Sequence, residues 1–337
     1  MSNYMARVDL PFYRQQVEQF LPDQVIDFHT HIYRSDQFTA PPGPARNWAE
    51  YVSPRTWSVD TLIRYYQRLL PGKTVTPVVF AMPLNEPDFD LANRYTRESA
   101  ERFEAFPFLL TRPEWTEAEL EQRVREDGFR GLKPYPTMVH GKSENDISVF
   151  DYLPHHHLAV AEALAICVIL HLPRAGRLAD PLNVAELHEI AERYPRLKLV
   201  VAHIGRAYCL PTAEKGLAQL RDCPSLCYDI SASANADVFE LALREVGAKR
   251  LIFGTDLPAV AFRARRICEG DNYVNIVRHS SFTDSHLRVA VPEERDTITF
   301  YIYEQIAAFR VAAERVGLGQ QDIEDVFRNN AERLLHG

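Results

Sequence analysis

Two histidines one residue apart, in Asp27-Phe28-His29-Thr30-His31, follow an apolar run that begins at Val25. If that run is a strand, side chains alternate across it, and His29 and His31 point the same way. Two neutral imidazoles so placed can bind one metal ion from one side. An isolated H-x-H pattern is a weak signal, but three other apolar runs end alike: Val168-Ile169-Leu170-His171, Val200-Val201-Ala202-His203 and Phe253-Gly254-Thr255-Asp256. One such histidine is more often a hydrogen-bonded core residue than a ligand. Four histidines and an aspartate at the ends of different strands are hard to obtain by chance if those ends converge. A divalent ion held there would bring the pKa of a bound water to ~7. Asp256 could then accept the proton that hydrolysis must remove.

Charged residues flank the same strand ends. Lys133, in Gly131-Leu132-Lys133-Pro134, can be read as a substrate-contacting cation or as half of a structural ion pair. Arg112 closes the third strand, Arg174 follows His171 by three residues, and Arg206 follows His203 by three. Guanidinium groups gathered around one pocket suit a carboxylate, so an organic acid is the expected substrate; the alternative is that they pair with loop acids. His140 lies in the loop after the fourth strand and could reach the pocket. Adjacent side chains on a helix diverge, so His155-His156-His157 does not read as a shared metal site.

The elements that must position these residues are legible as alternating patterns. Strand candidates are Val25–Phe28, Val75–Met82, Phe106–Leu110, Phe129–Lys133, Ile166–Leu170, Leu197–Ala202, Leu226–Ile230 and Arg250–Phe253. Their continuous apolar character suits strands covered on both faces. Amphipathic stretches between them include Val59–Leu70, Leu91–Phe103, Thr116–Glu126, Leu158–Ala165, Val184–Tyr194 and Val238–Val246, the last with Asp237 as its expected cap. Eight strand–helix units favour a (β/α)8 TIM barrel over an open sheet, with 1–337 as one domain. Long non-periodic stretches follow strands at Ile32–Trp57, Pro136–Asp151 and Leu257–Arg295, where a barrel builds its active-site rim. Residues Asn272–Ala290 carry no strong pattern. The tail reads as a long helix over Arg295–Val316 and an extra one over Gln321–Leu335.

Asp-Phe-His-Thr-His after the first strand, His171 ending the fifth, Ala202-His203-Ile204-Gly205, Gly254-Thr255-Asp256 and the terminal Asn330-Ala331-Glu332-Arg333-Leu334-Leu335 together resemble the amidohydrolase superfamily. The branch they resemble is amidohydrolase family 2, the group of aminocarboxymuconate-semialdehyde decarboxylase-like metal-dependent hydrolases. The likeness spans roughly residues 24–335. It implies zinc, with manganese as the alternative, held by His29, His31, His171 and Asp256. His203 would be a further ligand or the acid–base residue beside the metal. In binuclear members of the superfamily a carboxylated lysine stands where Lys133 stands, and this branch often lacks that bridge.

The expected function is therefore metal-dependent hydrolysis of a small, carboxylate-bearing lactone or amide. A metal-dependent non-oxidative decarboxylase (a lyase) is the alternative, and a non-catalytic small-molecule-binding barrel the second. A net charge of −8 without a basic stripe argues against nucleic acid as a partner. No apolar run reaches the ~18 residues of a membrane span, and the polar N-terminus is unlike a signal peptide. A cytoplasmic protein, compatible with a homo-oligomer, is expected. The five cysteines, with no C-x-x-C among them, read as reduced and mostly buried thiols.

Overall fold

The computed structural model describes residues 3–39, 43–45, 47–83 and 87–336. Eight parallel strands lie side by side in chain order. They are β1 (Gln24–His31), β2 (Thr74–Phe80), β3 (Phe106–Leu110), β4 (Gly131–Lys133), β5 (Cys167–Leu170), β6 (Lys198–Val201), β7 (Leu226–Asp229) and β8 (Leu251–Ile252). Backbone hydrogen bonds close the ring between its first and last members, Phe28 N to the Phe253 carbonyl at 3.0 Å and Asp256 N to the His29 carbonyl at 2.8 Å. The result is a (β/α)8 barrel, and it explains the unbroken apolar runs. One face of each strand looks into the barrel, where Phe28, Phe80, Phe108, Ile169 and Val200 pack together, and the other meets the helices.

The helices between strands are α1 (Val59–Leu69), α2 (Phe89–Phe103), α3 (Glu117–Asp127), α4 (His155–Ala163), α5 (Pro181–Arg193), α6 (Leu210–Leu217) and α7 (Ala236–Val246). Short polar side chains cap several of them by accepting a backbone N–H of the first turn, Ser58 for α1, Asp88 for α2, Thr116 for α3 and Asp180 for α5. For α7 the cap is Asn235, two residues earlier than the expected Asp237. The final long helix, α8 (Tyr301–Val316), starts later than expected because Thr299 stays extended, its carbonyl accepting from Ala264 N at 3.1 Å. Residues 320–336 are helical as expected. β8 is shorter than the apolar run suggests: Phe253 N turns out of the ladder to the Val326 carbonyl, at 2.8 Å.

The patternless stretch after β8 is not a bare loop. It holds β9 (Ala264–Glu269), β10 (Asn272–Val277) and β11 (Leu287–Val289), a three-stranded sheet in the order β11-β10-β9. A disulfide between Cys209, just before α6, and Cys268 on β9 ties this sheet to the loop after β6. The expectation of five free thiols is corrected for this pair. Cys167, Cys223 and Cys227 remain free. Residues 40–42 and 46 of the expected rim loop 32–57 lie outside the described residues. Among the described residues no helix is long and apolar enough to cross a membrane.

Candidate metal centre

The barrel brings the two ends of the chain's strand series together. His29 and His31, on alternate positions of β1, share a neighbour in Asp256, whose Oδ1 lies 3.5 Å from each Nε2. These three ligand atoms fall within 4.8 Å of one another, as do those of His29, His203 and Asp229. The His29 and His203 rings are 4.7 Å apart between centroids, and His203 and His171 are 5.4 Å apart. His171 stacks on Tyr135, and its Nδ1 is buried without a hydrogen-bond partner. His171 belongs to neither of those two groups, but its unpaired nitrogen beside His203 is the kind of donor that a bound ion can satisfy. The residues present fit a divalent cation.

Hydrogen bonds behind the histidines choose their tautomers. His29 Nδ1 donates to Asp229 Oδ2 at 2.9 Å, and His31 Nδ1 donates to the Ala81 carbonyl at 3.2 Å. The Ser231 hydroxyl donates to Asp229 Oδ1, so its oxygen accepts from His203 Nδ1 at 2.7 Å. Each ring is left with a bare Nε2, the form in which imidazole ligates a metal or takes a proton. Asp229, at the end of β7, therefore orients two histidines, and it also accepts the backbone N–H of His203 at 2.9 Å. Sequence reasoning missed it, although Cys227-Tyr228-Asp229 carries the same signal as the other strand ends, a lone ligand-type residue after an apolar run. Asp27 plays a similar supporting part. Its carboxyl accepts from Thr255 N and Oγ1, Tyr66 Oη and His29 N, bracing β1 against β8.

Several of these residues hold backbone conformations that L-residues avoid. His203, Arg206, Ala232 and Asp256 all have φ between 49° and 70°, each costing roughly 1–2 kcal/mol. Such a cluster at the ends of β6, β7 and β8 marks positions that packing imposes on the chain. Gly254 has a separate reason to lack a side chain, since a Cβ there would stand 2.9 Å from the His29 Cβ.

Burial dominates the electrostatics. It lowers His29 to about 3, helped by Lys133, against the pull of Asp229. Burial likewise lowers His171 and His203 below their usual value. For Asp256 burial acts to raise the carboxyl, but His203, His31 and His29 outweigh it and hold it below its ordinary range. Lys133 is fully buried, with Nζ 3.3 Å from His29 Nε2 and over the Phe80 and Tyr135 rings. Burial brings it down to about 7, although Asp229 and Asp256 favour its charge.

A cavity of about 370 Å³ opens onto the centre. His31, His171, His203 and Asp256 form its strand-end part, and loop residues including Trp48, Arg177, Arg206, Tyr208, Tyr273 and His286 form its walls. The three arginines expected around it separate. Arg206 lines the cavity, with Nη1 3.3 Å from the Glu144 carboxylate and from the carbonyls of Leu172 and Arg174. Arg174 does not line it; Glu186 holds its guanidinium by two bonds of 3.0 Å, and Asn183 adds a third. Arg112 is half-exposed, near Glu114 and over Phe89, and does not line it either. The loop-acid alternative therefore describes Arg174 and Arg112, and in part Arg206, which meets Glu144 while still lining the cavity. His140 is exposed and is not part of the wall.

A barrel with imidazole and carboxylate donors gathered at the strand ends has the architecture of a metal-dependent enzyme. The amidohydrolase family model matches residues 26–337, and the chain belongs to that family, amidohydrolase family 2, whose members are metal-dependent hydrolases or decarboxylases. No curated protein matches the sequence. Among solved structures it is similar to a zinc-bound amidohydrolase from Burkholderia multivorans, at 14% identity over 93% of this chain and 99% of that one, TM-score 0.57. A probable 2-pyrone-4,6-dicarboxylic acid hydrolase from Acinetobacter baumannii with citric acid bound is 15% identical over 93% and 99%, TM-score 0.57. A 2,6-dihydroxybenzoate decarboxylase from Rhizobium is 14% identical over 94% and 98%, TM-score 0.52. At these identities the likeness concerns the fold.

Proposed function

We propose that the protein is a metal-dependent hydrolase of a small carboxylate-bearing substrate, a lactone or an amide. The observation that carries this is Asp256, a carboxylate on the cavity wall 3.5 Å from two bare imidazole nitrogens. His29, His31, His171 and Asp256 would hold the ion, and zinc is the first choice, with manganese the alternative. A divalent cation supplies Lewis-acid polarisation of a substrate oxygen and a water made acidic enough to attack near neutral pH. Asp256 takes the proton of the attacking water at a carboxylate oxygen. His203, with Nδ1 committed to Ser231, takes that proton from Asp256 at its bare Nε2 and passes it to the leaving group. Arg206 offers its guanidinium to the substrate's carboxylate, and buried Lys133 stands behind His29 as a cation or, near neutral pH, a neutral amine.

Non-oxidative decarboxylation is the second reading, favoured by the shared fold with the Rhizobium enzyme. There His203 Nε2 would first take a proton from solvent and then deliver it to the carbon that loses carbon dioxide. Zinc-loaded protein incubated with a panel of lactones, amides and carboxylated aromatics separates the two by acid release against carbon dioxide release. Elemental analysis is expected to find about one equivalent of transition metal, with turnover lost on chelation. Turnover by metal-free protein would sink both readings.

A further inference from the structure

Arg177 sits in the wall of the cavity with nothing to neutralise it. Its guanidinium forms no hydrogen bond and no ion pair among the described residues, and its Nε is buried without a partner. It lies over the rings of Tyr208 and Tyr273, at 5.6 and 5.2 Å from their centroids. A second guanidinium shares those rings. Arg266, on β9, is buried, stands 4.7 and 4.5 Å from the same two centroids, and also lacks a carboxylate partner. Its Nε donates to Asn275 and its Nη1 to the Ala232 carbonyl, while Nη2 is buried and unpaired.

Ring faces attract cations but bring no negative charge. A buried guanidinium nitrogen without an acceptor is costly, as for Nε of Arg177 and Nη2 of Arg266, and two guanidiniums that share one aromatic pair also repel each other. The carboxylates of the cavity wall do not resolve this. Asp256 faces His29 and His31, and Glu50 lies beside Asn47 at 3.5 Å; neither is an ion-pair partner of Arg177. Arg174, three residues away, has its carboxylate in Glu186. The side of Arg177 left open to an anion is the side that faces the cavity.

We infer that Arg177 binds a carboxylate of the substrate at the loop end of the cavity, away from the group that reacts beside Asp256. Arg266 raises the local positive potential behind the two tyrosines without touching the substrate. The inference rests on the reading of this cavity as the substrate site, and it deepens that reading: the anion is held by the loop after β5 and steadied from the disulfide-bonded sheet. The substrate is thereby an acid whose carboxylate and reacting group lie at opposite ends. A fork of N–H donors reaching that carboxylate is specific in a way that lysine's single ammonium is not.

The test uses the zinc-loaded full chain and isophthalate, a rigid planar dicarboxylate, with its dimethyl ester as control, titrated by calorimetry. Arg177→Gln is expected to weaken isophthalate binding by about 10- to 150-fold, the range for losing a charged hydrogen bond, and Arg177→Lys by less. The ester should bind wild type and variant alike. Phenylglyoxal modification of unmutated protein, mapped by peptide mass, supplies a readout without any variant. Isophthalate is expected to protect Arg177. Wild-type affinity in Arg177→Gln, or no protection of Arg177 by millimolar isophthalate, overturns the inference. If the variant keeps its zinc while its affinity is unchanged, the hydrolase reading stands and this one falls. If zinc does not bind but Arg177-dependent isophthalate binding persists, the metal reading falls and this one stands.

Discussion

His203 and Asp229 divide a task that single residues cannot perform. His203 Nδ1 is held by Ser231, which leaves Nε2 as its working nitrogen. His203→Asn is therefore expected to lower kcat by about 100-fold or more, the span of a lost general acid or base, while elemental analysis still finds the metal. Loss of metal from that variant would reassign His203 as a ligand. Asp229 never faces the cavity, and it acts through His29, His203 and Ser231. An amide in its place cannot accept on both oxygens, so Asp229→Asn should weaken zinc binding or activity by about 10- to 100-fold. Competition with a chelator of known affinity measures the first, and unchanged affinity and activity together would remove Asp229 from the centre.

Element by element, the barrel supplies convergence and the loops supply the cavity wall. The sheet β9–β11 carries Tyr273 into the cavity wall, and Cys268 on β9 anchors it to Cys209. The bond closes a loop spanning 59 positions, which in the chain-entropy account stabilises the native state by about 4 kcal/mol. Cys268→Ser is expected to lower unfolding free energy by a large part of that, read from urea denaturation without reductant. Added reductant should shift wild type toward the variant and leave the variant where it is. A variant as stable as wild type would mean that packing alone holds the sheet in place.

The whole molecule's pH response includes a group outside the centre. Glu304, on α8, is pushed up to about 7 by burial, against Arg265 and a backbone N–H from Thr299, and its Oε1 is buried without a partner. In the unfolded chain the same carboxyl titrates near 4.5. Between those values the native state holds the proton that the unfolded state has released. Glu304's own contribution to stability therefore falls as pH rises from about 4.5 to 7, by roughly 3 kcal/mol in all. Glu304→Gln should be more stable than wild type at pH 8 and no more stable at pH 4, as compared by denaturation midpoints. An equal shift at both values would show that Glu304 stays ionised throughout.

What the sequence determined by itself was local in origin. Strand-like runs buried on both faces carry their own signature, and a lone histidine or aspartate at the end of one is visible without any neighbour. Eight such runs in alternation with amphipathic stretches specify the barrel, and the barrel brings His29, His31, His203 and Asp256 together. Asp229 was equally visible, but its part depends on which side chains it meets, and those belong to β1 and the loops after β6 and β7. Only the tertiary structure decided the loops. Arg174 and Arg177 share one short segment and one chemistry, and both have positive φ. One is turned to Glu186, the other to the cavity. Long side chains on irregular backbone take their direction from distant partners, here from α5 for Arg174 and from Tyr208 and Tyr273 for Arg177. The Cys209–Cys268 bond was hidden for the same reason, because it joins a loop to a sheet that no local periodicity announced.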